Sequence, residues 1–318
     1  MAVPASLLVD DGAPVNLMVW HCTWEQHVRV VPNVMLRDFA SLCERHGVSG
    51  KFSIPPMPAA LGRIDRQLTG ISPAHLRTFL DIARRRIAPR FDITCELLTH
   101  LVAFNVKGGY FEHMYEDAWV SRATADQIAE TIALALTILD SVGLRSTGVT
   151  SPWSTGADNE KAYAQGIARA FWRVHRRKRS WYFLHCMDES RPAWPWVAWK
   201  DAGRGLETVT VPANTGDVFW PTQYAVTLRA ARAAARAGAD ELLSRDGRSG
   251  RIRELVDVGF PVTILTHWQS LFSNGRLAGL WGLELLLERM AAHLGDEIRW
   301  MRCSELARLA RPRSRRGQ

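Results

Sequence analysis

Short apolar runs that stop on a polar residue alternate along this chain with longer segments of helical periodicity. The run Ser6-Leu7-Leu8-Val9 ends in Asp10-Asp11-Gly12, which predicts a buried strand delivering two carboxylates to a turn, with Gly12 at positive φ. Apolar side chains recur at helical spacing over 32–45, and 48–54 alternates as a second strand carrying Lys51 and Ser53. Ser72-Pro73 caps a second helix, and 91–100 reads as a third strand with Glu96 and His100 near its carboxyl end. Residues 105–120 read as an aromatic loop. Thr124 and Gln127 make a capping-box pair at the head of a helix over 124–142. A strand over 144–151, a helix over 158–172 and a strand over 180–186 that includes His185 follow. A Trp- and Pro-rich stretch near 187–214 interrupts the alternation as an insertion, and the next strand is expected to end at 217–220. Helices over 225–236 and 252–258, a strand over 261–267 closing on His267, a helix over 279–293 and a last strand-like segment and helix complete the order.

Strand and helix alternating over the whole length predict a parallel α/β fold, and the number of units fits a distorted barrel of seven or eight β/α units. One barrel domain over 1–310 and a basic flexible tail over 311–318 are expected. In such barrels chemistry collects at the carboxyl ends of the strands, where Asp10, Asp11, Glu96, His100, His185 and His267 fall.

Composition narrows the classes. At 47% hydrophobic and 23% charged residues the chain is ordinary for a globular protein, and no apolar run approaches the ~20 residues that span a bilayer. The net charge of +8 is concentrated in 173–179 and in the tail, without a nucleic-acid module beside it, so neither nucleic acid nor membrane is the expected partner. Five widely spaced cysteines with no Cys-x-x-Cys pair, and no secretion signal at the amino terminus, point to reduced thiols and a cytoplasmic location.

Carboxylate plus imidazole is a ligand set for a divalent metal of the zinc type. Such an ion lowers the pKa of water to about 7 and polarises a carbonyl. A second carboxylate can then take a proton and a histidine can protonate the leaving group. The chemistry expected is metal-assisted hydrolysis of an amide or ester.

The order and type of these motifs resemble the polysaccharide deacetylase family, carbohydrate esterases with a distorted β/α barrel that remove N- or O-acetyl groups from sugars. Val9-Asp10-Asp11-Gly12 is similar to the family's first motif, Thr99-His100 to part of the second, Ser151-Pro152-Trp153 to the third and Ile264-Leu265-Thr266-His267 to the last. The resemblance implies Asp10 as general base, Asp11 and His100 as metal ligands and His267 as general acid. Where the family offers a second metal histidine four residues on, this chain has Phe104, followed by Asn105, so His185 and His21 are the candidates to complete the site. The third motif also lacks the family's arginine, although Arg145 precedes it. Trp20, Trp153 and Trp268 lie beside strand ends as possible sugar-stacking surfaces, with His21, Lys51 and Glu96 as further substrate contacts. The implied activity is a zinc-type deacylation of a sugar-like or small polar substrate. Two rivals stand beside it: a carbohydrate-binding barrel that has lost the metal, and a metal-free glycosidase whose acids, such as Asp10 and Glu96, would lie about 5–10 Å apart.

Overall fold

The computed structural model describes residues 2–20, 27–184 and 191–311. In chain order its strands are β1 (Val3–Asp10), β2 (Gly50–Ile54), β3 (Gly62–Arg63), β4 (Gln67–Leu68), β5 (Phe91–Glu96), β6 (Val102–Asn105), β7 (Tyr110–Tyr115), β8 (Gly148–Ser151), β9 (Arg179–Leu184), β10 (Trp196–Asp201), β11 (Leu206–Pro212), β12 (Val262–His267) and β13 (Ile298–Trp300). The helices are α1 (Asn33–Arg45), α2 (Pro73–Ile82), α3 (Glu116–Val120), α4 (Ala125–Ser141), α5 (Glu160–His175), α6 (Leu228–Leu242), α7 (Arg251–Asp257), α8 (Trp268–Phe272), α9 (Ala278–Leu294) and α10 (Cys303–Leu306).

The fold is α/β around one parallel sheet, ordered β10-β11-β9-β8-β5-β2-β1-β12, with β10 antiparallel on one edge and β13 beside the start of β1. Side-chain alternation sorts each strand into two faces. Ala5, Leu7 and Val9 of β1 join the large core beneath the helices. Leu8 faces the other way and packs with Trp181 and Phe183 of β9, Val209 and Val211 of β11 and Leu265 of β12. Residues from strands far apart in the sheet order thus share one interior cluster, as a sheet curled toward a barrel requires. Cys303, Leu306 and Ala307 of the last helical turns belong to the same cluster.

The seam of the curl lies between β11 and β12. β10 covers the first part of β11, and the chain beyond Pro212 then runs beside β12. There Asn214 N donates to Thr263 O at 3.3 Å and to Thr263 Oγ1 at 2.8 Å, and Leu265 N donates to Thr215 Oγ1 at 3.1 Å. Side chains replace a regular ladder at this junction.

Three elements differ from expectation. The 187–214 stretch contains β10 and β11; Thr208-Val209-Thr210-Val211 alternates as a strand should, and β11 is one of the parallel strands. The strand expected near 217–220 is a turn leading into a short helix, Trp220–Tyr224. The 105–120 loop takes part in the hairpin β6–β7 and contains α3. Helix starts follow the chemistry: Ser72 accepts from His75 N, and Thr124 with Gln127 forms the reciprocal capping box of α4. No helix among the described residues is long and apolar enough to cross a membrane. Cys43, Cys95 and Cys303 are buried free thiols.

Candidate active site

The carboxyl end of β1 carries the two aspartates to different jobs. Asp10 continues the strand's inward face, where Lys51 of β2 donates to its Oδ1. Lys51 is fully buried and also donates to Thr150 Oγ1 at 2.8 Å, with its ammonium 4.2 Å from the Phe183 ring centroid. Burial pulls its pKa down to about 7, against the opposing charge of Glu96, and the Asp10 carboxyl is its ion-pair partner. Lys51 therefore sits beneath Asp10 on the concave side of the curled sheet and does not line the cavity described below. Arg145, ahead of the third motif, is exposed, so the cation at Asp10 comes from β2.

The turn that redirects the chain is made at Asp11, whose φ is 66°. Aspartate tolerates this left-handed conformation better than most residues. Gly12 serves another purpose: a Cβ there would lie 2.1 Å from the Phe52 ring and 2.5 Å from Ser53 O. Asp11 N donates to Ser53 Oγ at 3.1 Å and to Glu96 Oε2 at 2.8 Å, and Ser53 Oγ donates to the same Glu96 oxygen at 2.6 Å. Gln269 Nε2 donates to Asp11 Oδ2. The other oxygen, Asp11 Oδ1, is buried and makes no hydrogen bond among the described residues.

His100 does not end β5. The strand stops at Glu96, and the chain turns through Leu97 at φ 41° and His100 at φ 66°. Glu116, at the start of α3, holds this turn: its carboxylate accepts from Leu98 N at 3.1 Å, Thr99 N at 2.8 Å and His100 N at 2.9 Å. The imidazole Nδ1 is thereby set 3.0 Å from Asp11 Oδ1 and 3.1 Å from Glu96 Oε1.

Asp11, Glu96 and His100 each offer a ligand atom within 4.8 Å of the other two, all buried. Burial raises Asp11 to about 7, with the neighbouring Glu96 adding to it. In Glu96 burial pushes the same way but is outweighed by His100 and Lys51, which hold it well below the usual carboxylate range. Burial lowers His100, but the Asp11 and Glu96 carboxylates raise it to about 9. The proton on the imidazole is thus the positive charge that offsets two buried carboxylates. A divalent cation can take the place of that proton, with Asp11 Oδ1, the Glu96 carboxylate and the deprotonated imidazole nitrogen as its donors. The residues fit such an ion.

These groups open onto a cavity of about 430 Å³ that Asp10, Trp153, Asp217, Trp220 and His267 also line. His267, the last residue of β12, is oriented by Asp217 from the seam: Asp217 Oδ2 lies 2.8 Å from its Nδ1 and accepts its backbone N–H at 3.0 Å. Ser270 donates to the same oxygen. Burial lowers the imidazole pKa, but the hydrogen bond and charge of Asp217 outweigh that and raise it. Trp220 stands edge-on to His267 at 4.9 Å, and Trp153 lies over His100 at 4.8 Å.

Of the residues singled out from sequence, Asp10, Asp11, Glu96, His100, Trp153 and His267 meet at this cavity. Glu96, read as a substrate contact, lies among the prospective ligands, four residues before His100 rather than after it. Trp268 is 1% exposed, packed edge-on against Phe39 and Phe52 at 5.7 and 5.4 Å, with Nε1 donating to Ala13 O at 3.1 Å; it is a core residue because α8 turns it inward. The Trp20 side chain, His21 and His185 lie outside the described residues, as does 312–318 of the basic tail. Sequence reasoning did not reach Asp217, Gln269 or Glu116. Asp217 and Gln269 carry weak signals, one just after Gly216 and the other two residues past His267. Glu116, sixteen residues beyond His100, carries none.

By sequence, the chain matches no family model and no curated protein. By fold it is similar to a provisionally assigned polysaccharide deacetylase from Mycobacterium smegmatis, with a TM-score of 0.51 and 14% identity over 88% of this chain and 80% of that one. It is also similar to a provisionally assigned glycoside hydrolase/deacetylase from Parabacteroides distasonis (TM-score 0.54, 9% identity, 97% and 70% covered). A GH57-type branching enzyme from Pyrococcus horikoshii shares the architecture (TM-score 0.52, 10% identity, 96% and 69% covered). The chain has a divergent deacetylase-like fold.

Proposed function

We propose that this protein is a metal-dependent hydrolase that removes an acyl group from a sugar-like or small polar substrate. The observation that carries the reading is the convergence of Asp11, Glu96 and His100 within 4.8 Å in a cavity that Asp10 and His267 also line. The fold's likeness to proteins described as deacetylases supports it. Asp11, Glu96 and His100 would hold the ion, zinc in the first instance. When bound, it would polarise the acyl carbonyl and acidify water to a pKa of about 7. Asp10, paired with Lys51, takes the proton from the attacking water. His267, whose proton Asp217 helps retain, delivers one to the departing nitrogen or oxygen. Trp153 and Trp220 supply flat walls for the substrate.

A metal-free glycosidase built on Asp10 and Glu96 is less well supported. It needs a carboxylic acid that keeps its proton near neutrality. Asp10 is paired with Lys51, and Glu96 is held well below the usual range.

The test is metal content together with acetate release. Protein purified without chelator should carry about one divalent ion per chain and release acetate from N- or O-acetylated sugars. Chelation should abolish turnover and zinc should restore it. Full metal content and full activity in Asp11→Asn would end the proposal, and sugar binding with neither metal nor turnover would point to a binding barrel instead.

A further inference from the structure

The β6–β7 hairpin carries aromatic side chains that the catalytic reading leaves unused. Of the five exposed aromatic side chains among the described residues, Tyr110, Phe111 and Tyr115 lie on one six-residue strand, 52%, 38% and 54% exposed. Such a concentration of apolar surface on a monomeric protein marks a contact surface. Strand alternation puts Phe111, His113 and Tyr115 on one face, and Phe104, paired with Phe111 across the hairpin, adds its ring at 5.1 Å. At about 3.3 Å per residue the stripe from Phe111 to Tyr115 is about 13 Å long. It joins the cavity: the Tyr115 ring is 5.5 Å from Trp153, which lines the cavity and lies over His100.

A two-stranded hairpin is marginal alone. This one is fastened at both ends, by Lys107 to Glu130 of α4 at 3.3 Å and by Glu116 N donating to Leu101 O at 2.8 Å. The stripe is not a continuous apolar groove. Its rings are spaced by His113, and Glu112 with Asn105 stands on the reverse face. Flat apolar surfaces interleaved with polar groups match a ligand with apolar C–H faces and hydroxyl edges, which is a chain of sugar rings.

We propose that this face of the hairpin is a stacking platform for sugar residues flanking the one in the cavity, so that the protein takes an oligosaccharide rather than a single sugar. The proposal rests on the reading of the cavity as a sugar site. Isothermal titration of the full chain with hexamers of N-acetylglucosamine, O-acetylated xylose and glucose, and with the corresponding monomers, tests it. At least one hexamer should bind about tenfold or more tightly than its monomer, and Phe111→Ala or Tyr115→Ala should remove most of that advantage while monomer affinity moves less than about twofold. Both residues are exposed, and an unchanged melting temperature verifies the fold of each variant. A hexamer advantage lost in the variants without any acetate release would sink the hydrolase reading and leave the platform standing. No hexamer binding at millimolar concentration, hexamer affinity equal to monomer affinity, or variants with wild-type hexamer affinity would each overturn the platform. So would an oligothymidylate that binds more tightly than every hexamer and is lost in the same variants.

Discussion

Glu96 Oε1 lies 3.1 Å from Nδ1 of His100, the residue four positions later. The spacing of four that the family resemblance associates with two metal histidines is therefore present, with a carboxylate in the earlier place. Asp11→Asn, Glu96→Gln and His100→Ala should each reduce bound divalent metal from about one equivalent toward none, because each removes one of the three ligands clustered among the described residues. Elemental analysis after purification without chelator measures it, and undiminished metal in Glu96→Gln would remove Glu96 from the set.

The Lys51–Asp10 pair is almost wholly withdrawn from water, with side chains 0% and 2% exposed. Removing one partner of a buried pair costs about 3–5 kcal/mol, because the other charge is left uncompensated. Lys51→Met should fall in that range in urea unfolding, and adding Asp10→Asn should recover part of the loss while activity stays absent. A single Lys51→Met variant as stable as the wild type would show that the pair is not charged in the fold.

Glu116 reaches the site by hydrogen bonds to backbone, and its charge also acts on His100. Glu116→Ala strands the N–H groups of Leu98, Thr99 and His100, at about 1–3 kcal/mol for each buried donor left unpaired. It also frees a turn that holds two residues at positive φ. Metal affinity should drop by about 10- to 100-fold, the usual effect of losing a group that orients a ligand. Competition with a zinc chromophore reads this, and unchanged affinity in a folded variant would reduce Glu116 to a purely structural role.

Asp217 should set the pH behaviour of His267. Burial lowers this histidine and Asp217 raises it, to a net value above the ordinary 6.5. The pair's contribution to stability is thus fully present below pH 6.5 and is lost as pH rises through the higher folded value. Melting curves of Asp217→Asn should show the largest deficit against wild type in acid and the smallest in alkali. The proposed acid role needs the protonated imidazole, so the alkaline limb of the activity profile should shift to lower pH in the variant. An unshifted limb would assign it to another group.

Much of this was legible from period and punctuation. β1 and β12 are short apolar runs closed by polar residues, and the alternation in Gly50-Lys51-Phe52-Ser53-Ile54 of β2 already sends Lys51 and Ser53 to one face. The sequence does not mark β11, because tryptophans and prolines nearby suggest an irregular insertion, although Thr208-Val209-Thr210-Val211 within it alternates cleanly. Glu96 was visible, but a glutamate at a strand end has several uses, and only the turn at Leu97 and His100 decides among them. Trp268 resembled a rim aromatic until α8 turned it into the core. Asp217 and Glu116 belong to the site through closure in three dimensions, fifty and sixteen residues from the groups they bind, and local pattern does not register such distances.

The seam between β11 and β12 has a mechanical side. The segment that bridges it by Asn214 and Thr215 ends in Asp217, so the sheet's least regular junction is also the mount that aims His267. Curling of the sheet and orientation of His267 are then one set of contacts. A fluctuation that widened the seam would swing His267 out of line before it disturbed Asp11 and Glu96 at the ends of β1 and β5, so under the proposed function activity would gauge that joint more sensitively than overall folding.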